Sequence, residues 1–177
     1  MTKYITLEYF LQHTDFFVAE AKAGKIFVYP TDTIYGIWAM QTPATVEKVF
    51  QIKKRDEKKM YSIIAPNFDR IVTQYSTDKT IDELQTYLEK YHGVTYIFDY
   101  ARPGVRIIKH PFQKFVEALG EPFITTSCNV AWEPVVDDLT KLPADIAEQV
   151  DYIIDGGIGG GRPSVLIDFV EGKVIER

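Results

Sequence analysis

The sequence predicts an α/β chain of the α+β type, and three of its features lead there. Apolar runs of strand length recur from residue 26 to the last residue. Stretches with apolar residues at helical spacing lie between most of them. Several of the apolar runs end in small polar clusters rich in Ser, Thr and Asn, as strands do where they meet a ligand. A length of 177 residues with 46% hydrophobic and 14% aromatic residues suits a single domain, 1–177, with a sizeable core.

Over residues 6–23, Leu7, Phe10, Leu11, Phe17 and Val18 recur at helical spacings, with Thr6 as the cap and Gly24 as the stop. The short strand Ile26-Phe27-Val28 then runs into Tyr29-Pro30-Thr31-Asp32-Thr33-Ile34-Tyr35-Gly36. Hydroxyls and a carboxylate are packed there at a strand end, the usual place for a ligand in such folds. The same residues can equally satisfy their own backbone as a turn. Thr42-Pro43-Ala44 opens the next helix, on which Val46, Val49, Phe50 and Lys53 form one stripe. It closes in Lys53-Lys54-Arg55. Cations at that end complement the helix dipole, or Lys53 and Arg55 converge on a phosphate chain.

Tyr61-Ser62-Ile63-Ile64-Ala65 is a second core strand, and Ile71, Ile81, Leu84, Tyr87 and Leu88 put helices between residues 68 and 91. Residues 94–98 and 104–108 are the next two strands. Arg106 stands inside an apolar run, and a buried arginine needs a partner, so it either pairs with a carboxylate or faces a ligand anion. Residues 111–119 form a helix with Pro111 near its start and Gly120 at its end.

Phe123-Ile124-Thr125-Thr126-Ser127-Cys128-Asn129 is a strand entering a polar turn, with Ser127 and Asn129 on one side by the period of two. Cys128 is expected to be a packed, inert thiol, since His13, His92 and His110 make no cysteine-hydrolase pattern with it. Residues 139–150 are a short helix, and Tyr152-Ile153-Ile154 a strand. The run from Asp155 through Gly161 to Ser164 has no Lys-Ser/Thr pair and continues into a strand at 165–169, which excludes Walker and Rossmann phosphate loops. Its glycines are expected to form a mobile turn through which backbone approaches a ligand. A turn at Glu171-Gly172-Lys173 leads to the last strand, 174–177, whose Arg177 is expected to order only with ligand bound.

A net charge of −5 and a pI near 5.2 argue against a protein that holds nucleic acid by diffuse charge. The single cysteine excludes an internal disulfide and a cysteine metal cluster, in keeping with a reducing cytoplasm. No apolar run has the length of a membrane span and no secretory signal is visible, so a cytoplasmic protein with no membrane partner is expected. Zinc spacing, a nucleophile elbow and an acid–base carboxylate pair are all missing from the sequence. What remains is a set of strand-end hydroxyls at Thr31, Thr33, Ser127 and Ser164 interleaved with cations at Lys53, Arg55, Arg106 and Arg177. Such a set suits a small polar anion beside a phosphate-bearing molecule, with catalysis by positioning and charge neutralisation.

The order of these motifs resembles the YrdC-like family of threonylcarbamoyl-AMP synthases, from about residue 24 to 177. Pro30 to Gly36 looks like the family's Pro-Thr-(Asp/Glu)-Thr-x-Tyr-Gly, and Lys53-Lys54-Arg55 like its Lys-x-Arg. Arg106 before His110-Pro111, Ser127-Cys128-Asn129, Pro163-Ser164-Val165 and the late Arg177 follow in the family's order. The chain departs from it at Asp56, at Met60-Tyr61, at Ile64 near the position of a usual His, at Ala131-Trp132 and at Val165.

The resemblance implies a twisted, mixed sheet with helices around a concave cleft, YrdC/RibB-like. It implies a nucleotidyltransferase that makes threonylcarbamoyl-AMP and pyrophosphate from L-threonine, bicarbonate or CO2, and ATP with Mg2+, for tRNA modification. On that reading Thr33, Arg106, Ser127 and Ser164 bind threonine. Lys53, Arg55, Lys59, Asn129 and Arg177 bind ATP, with Lys53 and Arg55 as the catalytic pair and no protein-held metal. Proteins that transfer the threonylcarbamoyl group to tRNA would be its downstream partners, and weak RNA binding is left open. A paralogue with another carbamoyl or adenylyl acceptor, or a noncatalytic RNA-binding module, is the alternative. The acidic balance counts against the last.

Overall fold

The computed structural model describes residues 1–54, 61–75, 78–130 and 133–177. Ten strands join in one sheet: β1 (Lys3–Thr6), β2 (Phe27–Tyr29), β3 (Gly36–Met40), β4 (Ser62–Ile64), β5 (Val94–Ile97), β6 (Gly104–Arg106), β7 (Phe123–Ser127), β8 (Tyr152–Asp155), β9 (Val165–Asp168) and β10 (Lys173–Ile175). Their spatial order is β1-β8-β2-β3-β7-β4-β6-β5-β9-β10. β8 lies parallel to β1 and β2, β4 to β6 and β5 to β9, and the remaining neighbours are antiparallel. The sheet is therefore mixed, as expected for this fold class. The helices are α1 (Leu7–Gln12), α2 (Thr14–Lys22), α3 (Pro43–Ile52), α4 (Phe68–Gln74), α5 (Ile81–Lys90), α6 (Gln113–Leu119) and α7 (Ala144–Ala147). None is long and apolar enough to cross a membrane.

Local chemistry sets most of the boundaries. The Thr6 side chain accepts from the Tyr9 N–H, and Thr42 with Thr45 forms a reciprocal capping box ahead of Pro43. Gly120 ends α6 at φ 73°, a conformation that favours glycine. The helix expected over 6–23 is two helices, broken at His13, which stacks on Tyr9 and lets the Phe10 and Phe17 rings meet at 4.6 Å. The helix expected over 139–150 is a 3-10 turn at Leu139–Lys141 and then α7, with Pro143 between them.

Two strands lie outside the sequence reading. β1 exists through its parallel pairing with β8, almost the whole chain away, and β3 by pairing with β2 and β7. Neither has a local signal as strong as its non-local partners.

Register places side chains on two faces, and the faces are covered unequally. On one, Val28, Ile37, Ile124 and Ile153 pack under α3 and α7 through Val49, Ile52 and Ile146. Further along it, Ile63, Val105, Tyr96 and Ile167 pack under α4 and α5 through Ile71, Leu84 and Leu88. The opposite face is an aromatic core where Phe27, Trp38, Ile64, Phe123 and Tyr152 meet Phe10, Phe17 and Phe115. Burying each such ring stabilises the fold by roughly 1.5–3 kcal/mol. Beyond Ile64 this face changes character. Ser62 pairs in register with Thr125 and with Gly104, and a side chain on Gly104 would meet Thr95 at 2.8 Å. These small and polar residues border open space in place of a helix layer, and that uncovered end of the face is the concave cleft.

Candidate functional site

A cavity of about 290 Å³ opens on the cleft, and Thr33, Arg106, Ser127, Ser164 and Arg177 all line it. Thr33 arrives on the turn after β2, which is self-bracing: Thr31 Oγ1 bonds Thr33 Oγ1 at 2.9 Å, accepts from the Thr33 N–H at 2.9 Å and reaches the Ile34 carbonyl at 2.8 Å. The turn's hydroxyls thus satisfy one another, and Thr31 and Thr33 also line the cavity. Arg106 takes the carboxylate partner that its burial calls for. Its Nη2 donates to Asp32 Oδ1 at 2.7 Å, and it also borders the cavity.

Across the cleft, Ser164 Oγ is 2.8 Å from Thr95 Oγ1, and Arg177 Nη2 donates to Ser164 Oγ at 3.0 Å. Arg177 Nε and Nη2 also donate to the Ser164 carbonyl at 3.1 and 3.0 Å, which holds the guanidinium against the residue that precedes β9. Burial lowers the Arg177 pKa, and the positive charge of Arg106 lowers it further. An anion between the two guanidinium groups would relieve that repulsion.

The remaining sequence candidates stand elsewhere. Lys53 is buried, and its ammonium donates to the carbonyls of Ser127 and Asn129, the latter at 2.6 Å, with Ser127 Oγ and Asn129 Oδ1 each at 3.4 Å. Asn129 is buried as well and donates through Nδ2 to the Glu133 carbonyl at 2.6 Å. Neither Lys53 nor Asn129 is among the residues lining the cavity, and both brace the turn that carries Ser127. Arg55 and Lys59 lie outside the described residues, as do Asp56, Met60, Ala131 and Trp132.

The glycine run differs from its expected role. Tyr35 Oη donates to the Gly157 carbonyl at 2.7 Å and accepts from the Gly156 N–H at 3.0 Å, while the Gly159 N–H reaches the Asp137 carbonyl at 2.7 Å. A side chain on Gly156 would meet Pro30 at 2.5 Å, and one on Gly160 would meet His92 Nε2 at 2.5 Å and the Asp32 carbonyl at 2.9 Å. The close approach that the glycines permit is therefore to the chain's own turn at residues 30–33, and the loop is a buttress behind Thr33. Cys128 is a packed thiol as expected, fully buried and pushed up to about 12 by that burial.

Ser62, Thr95 and Thr125 also line the cavity and were not singled out as site residues. Alternation along β4, β5 and β7 was the available signal, but it needs the register between strands to show that the three hydroxyls share a face. Ile64, nearest the family's usual His, packs in the aromatic core and does not line the cavity. A second cavity of about 170 Å³ adjoins the first, with Tyr61, Ser62, Thr95 and Arg177 lining both.

A family model for Sua5, YciO and YrdC proteins, described as telomere recombination, matches residues 20–177. The chain belongs to the Sua5/YciO/YrdC family. It is similar to the threonylcarbamoyl-AMP synthase of Pseudoalteromonas translucida, with 25% identity over 85% of this chain and 90% of that one. Among solved structures it resembles E. coli YciO at a TM-score of 0.80 and 20% identity, covering 99% of this chain and 94% of YciO. It also resembles P. abyssi Sua5 complexed with L-threonine, at a TM-score of 0.77 and 20% identity over 98% of this chain. It spans 56% of that Sua5 chain. Family members of the first kind are nucleotidyltransferase-type enzymes by name, and the structural likenesses fix the fold.

Proposed function

We propose that the protein is an L-threonylcarbamoyladenylate synthase, 1–177 forming one catalytic domain. The observation that carries this reading is that all four threonine candidates and the nucleotide candidate Arg177 border one cavity. Relatives named as threonylcarbamoyl-AMP synthases, and a Sua5 structure containing L-threonine, support it.

In this reading the threonine carboxylate docks on Arg106, and the hydroxyls of Thr33, Ser127 and Ser164 orient the rest of the amino acid. The amine adds to CO2 and loses a proton, or condenses with bicarbonate with loss of water, to give a carbamate. A carbamate oxygen then attacks the α-phosphorus of ATP, the bond to the β-phosphate bridging oxygen breaks, and pyrophosphate leaves. Arg177 neutralises charge on the phosphates in a site partly shielded from water, where such contacts count for more than in solvent. Lys53 and Asn129 act on ATP through the Ser127–Asn129 turn that they hold, and Arg55 and Lys59 complete the nucleotide contacts. Magnesium would enter with ATP as part of the substrate, bound to the triphosphate. The product, a mixed anhydride, suits transfer to a tRNA base by a separate enzyme.

The test is to incubate the protein with L-threonine, carbon-13 bicarbonate and Mg-ATP and to look for threonylcarbamoyl-AMP by mass spectrometry. The isotope should appear in a threonine-containing adenylate. An unlabelled adenylate, or none, would refute the assignment.

A further inference from the structure

We propose that Asp32 is the positioning residue for the amino-acid carboxylate, acting through Arg106; the inference rests on the synthase reading above. The Asp32 side chain is 2% exposed and that of Arg106 8%, so this is a buried ion pair at the wall of the cavity. Its geometry is lopsided. Arg106 Nη2 bonds Asp32 Oδ1 at 2.7 Å, while the other carboxylate oxygen, Oδ2, accepts from the backbone N–H of Lys109 at 2.8 Å. A carboxylate held in that way cannot turn both oxygens toward the guanidinium, so the two-pronged pairing open to Arg and Asp is not formed.

Two consequences follow for Arg106. It is fixed in place by an anion that is itself tied to backbone, with a further Nη2 contact to Thr33 Oγ1 at 3.4 Å. Its Nε–H, buried, has no hydrogen-bond partner among the described residues. A buried, unpartnered donor on a charged group is costly unless something else uses it. Asp32 therefore sets the angle at which the Arg106 guanidinium borders the cavity and keeps Arg106 from being an uncompensated buried cation. The turn at residues 30–33 thus does more than present Thr33. Its acidic residue reaches across to β6 and sets the angle of the arginine.

The experiment compares wild type with Asp32→Asn, which keeps the size and removes the charge. Threonine KM in pyrophosphate release should rise about tenfold or more, as loss of a charge-assisted contact implies, while ATP KM stays within about twofold. An unchanged threonine KM, or equal rises in both, would overturn the proposal. A second readout does not depend on the reaction: the ¹H–¹⁵N resonance of Arg106 Nε, identified by its loss in Arg106→Lys, should move and exchange faster in Asp32→Asn. No change there overturns the positioning role whatever the substrate. A moved resonance in a protein whose wild type releases no pyrophosphate with threonine would sink the synthase reading and leave the positioning role standing. Should Asp32→Asn fail to fold, Arg106→Lys keeps a cation beside Asp32 but has no guanidinium for Asp32 to orient. It too should raise threonine KM, and normal threonine kinetics in it would refute the proposal.

Discussion

The ammonium of Lys53 lies 2.6 Å from the backbone carbonyl of Asn129, inside the fold and against the turn that follows β7. It also donates to the Ser127 carbonyl, so one side chain at the end of α3 ties down both residues of the Ser-x-Asn turn. Lys53→Met should therefore destabilise the protein by about 1–3 kcal/mol, because buried carbonyls lose their donor. Urea unfolding measures this, and an unchanged midpoint at unchanged slope would contradict the bracing role.

The glycine buttress gives a paired prediction. Gly160→Ala would press a methyl group into the Asp32 carbonyl at 2.9 Å and His92 at 2.5 Å, and overpacking of this kind costs about 1–3 kcal/mol. Gly157→Ala has open space but sits at φ 81°, so its cost of about 1 kcal/mol is purely conformational. Thermal melts of the two should rank Gly160→Ala as the less stable, and only it should weaken binding at Thr33.

How far the sequence reaches is clearest at single residues. Thr6, Thr42 and Gly120 are helix signals whose physics is local, and each stands where the pattern puts it. Thr33, Arg106, Ser127, Ser164 and Arg177 were legible as a set because each stands at or beside one end of a recognisable strand, and the structure brings them to one cavity. β1 and β3 were not legible, since their existence depends on partners distant in sequence. Nor were the roles of Lys53 and Asp32: a residue type and a spacing do not show whether a side chain points at a ligand or at a neighbouring carbonyl. The glycine run misled for a related reason, because glycine signals a close approach without saying to what.

Cys128 should be silent to thiol reagents in the folded state. Burial pushes its pKa up to about 12, so at pH 8 almost no thiolate is present and none of it is accessible. Ellman's reagent should read no fast-reacting thiol in native protein and one after unfolding in urea. Rapid labelling of native protein would show that the turn opens.

His110 makes stability fall in mild acid. Partial burial lowers its pKa below 6.5, outweighing the opposing pull of Asp32, so the folded state binds a proton less readily than the unfolded chain. The contribution is fully present above the unfolded pKa, about 6.5, and is lost as pH falls from there toward the depressed folded value. Melting temperatures between pH 7.5 and 5 should drop less in His110→Gln than in wild type. Parallel curves would contradict the assignment.

The most direct test of the central claim, that one cavity joins an amino acid to a nucleotide, is pyrophosphate release from Mg-ATP with bicarbonate. The assay is run with L-threonine, L-serine, glycine or no amino acid. The account predicts release that depends on threonine and is much weaker with the other two. Equal release without any amino acid, or none with threonine from a protein that still binds ATP, would contradict it.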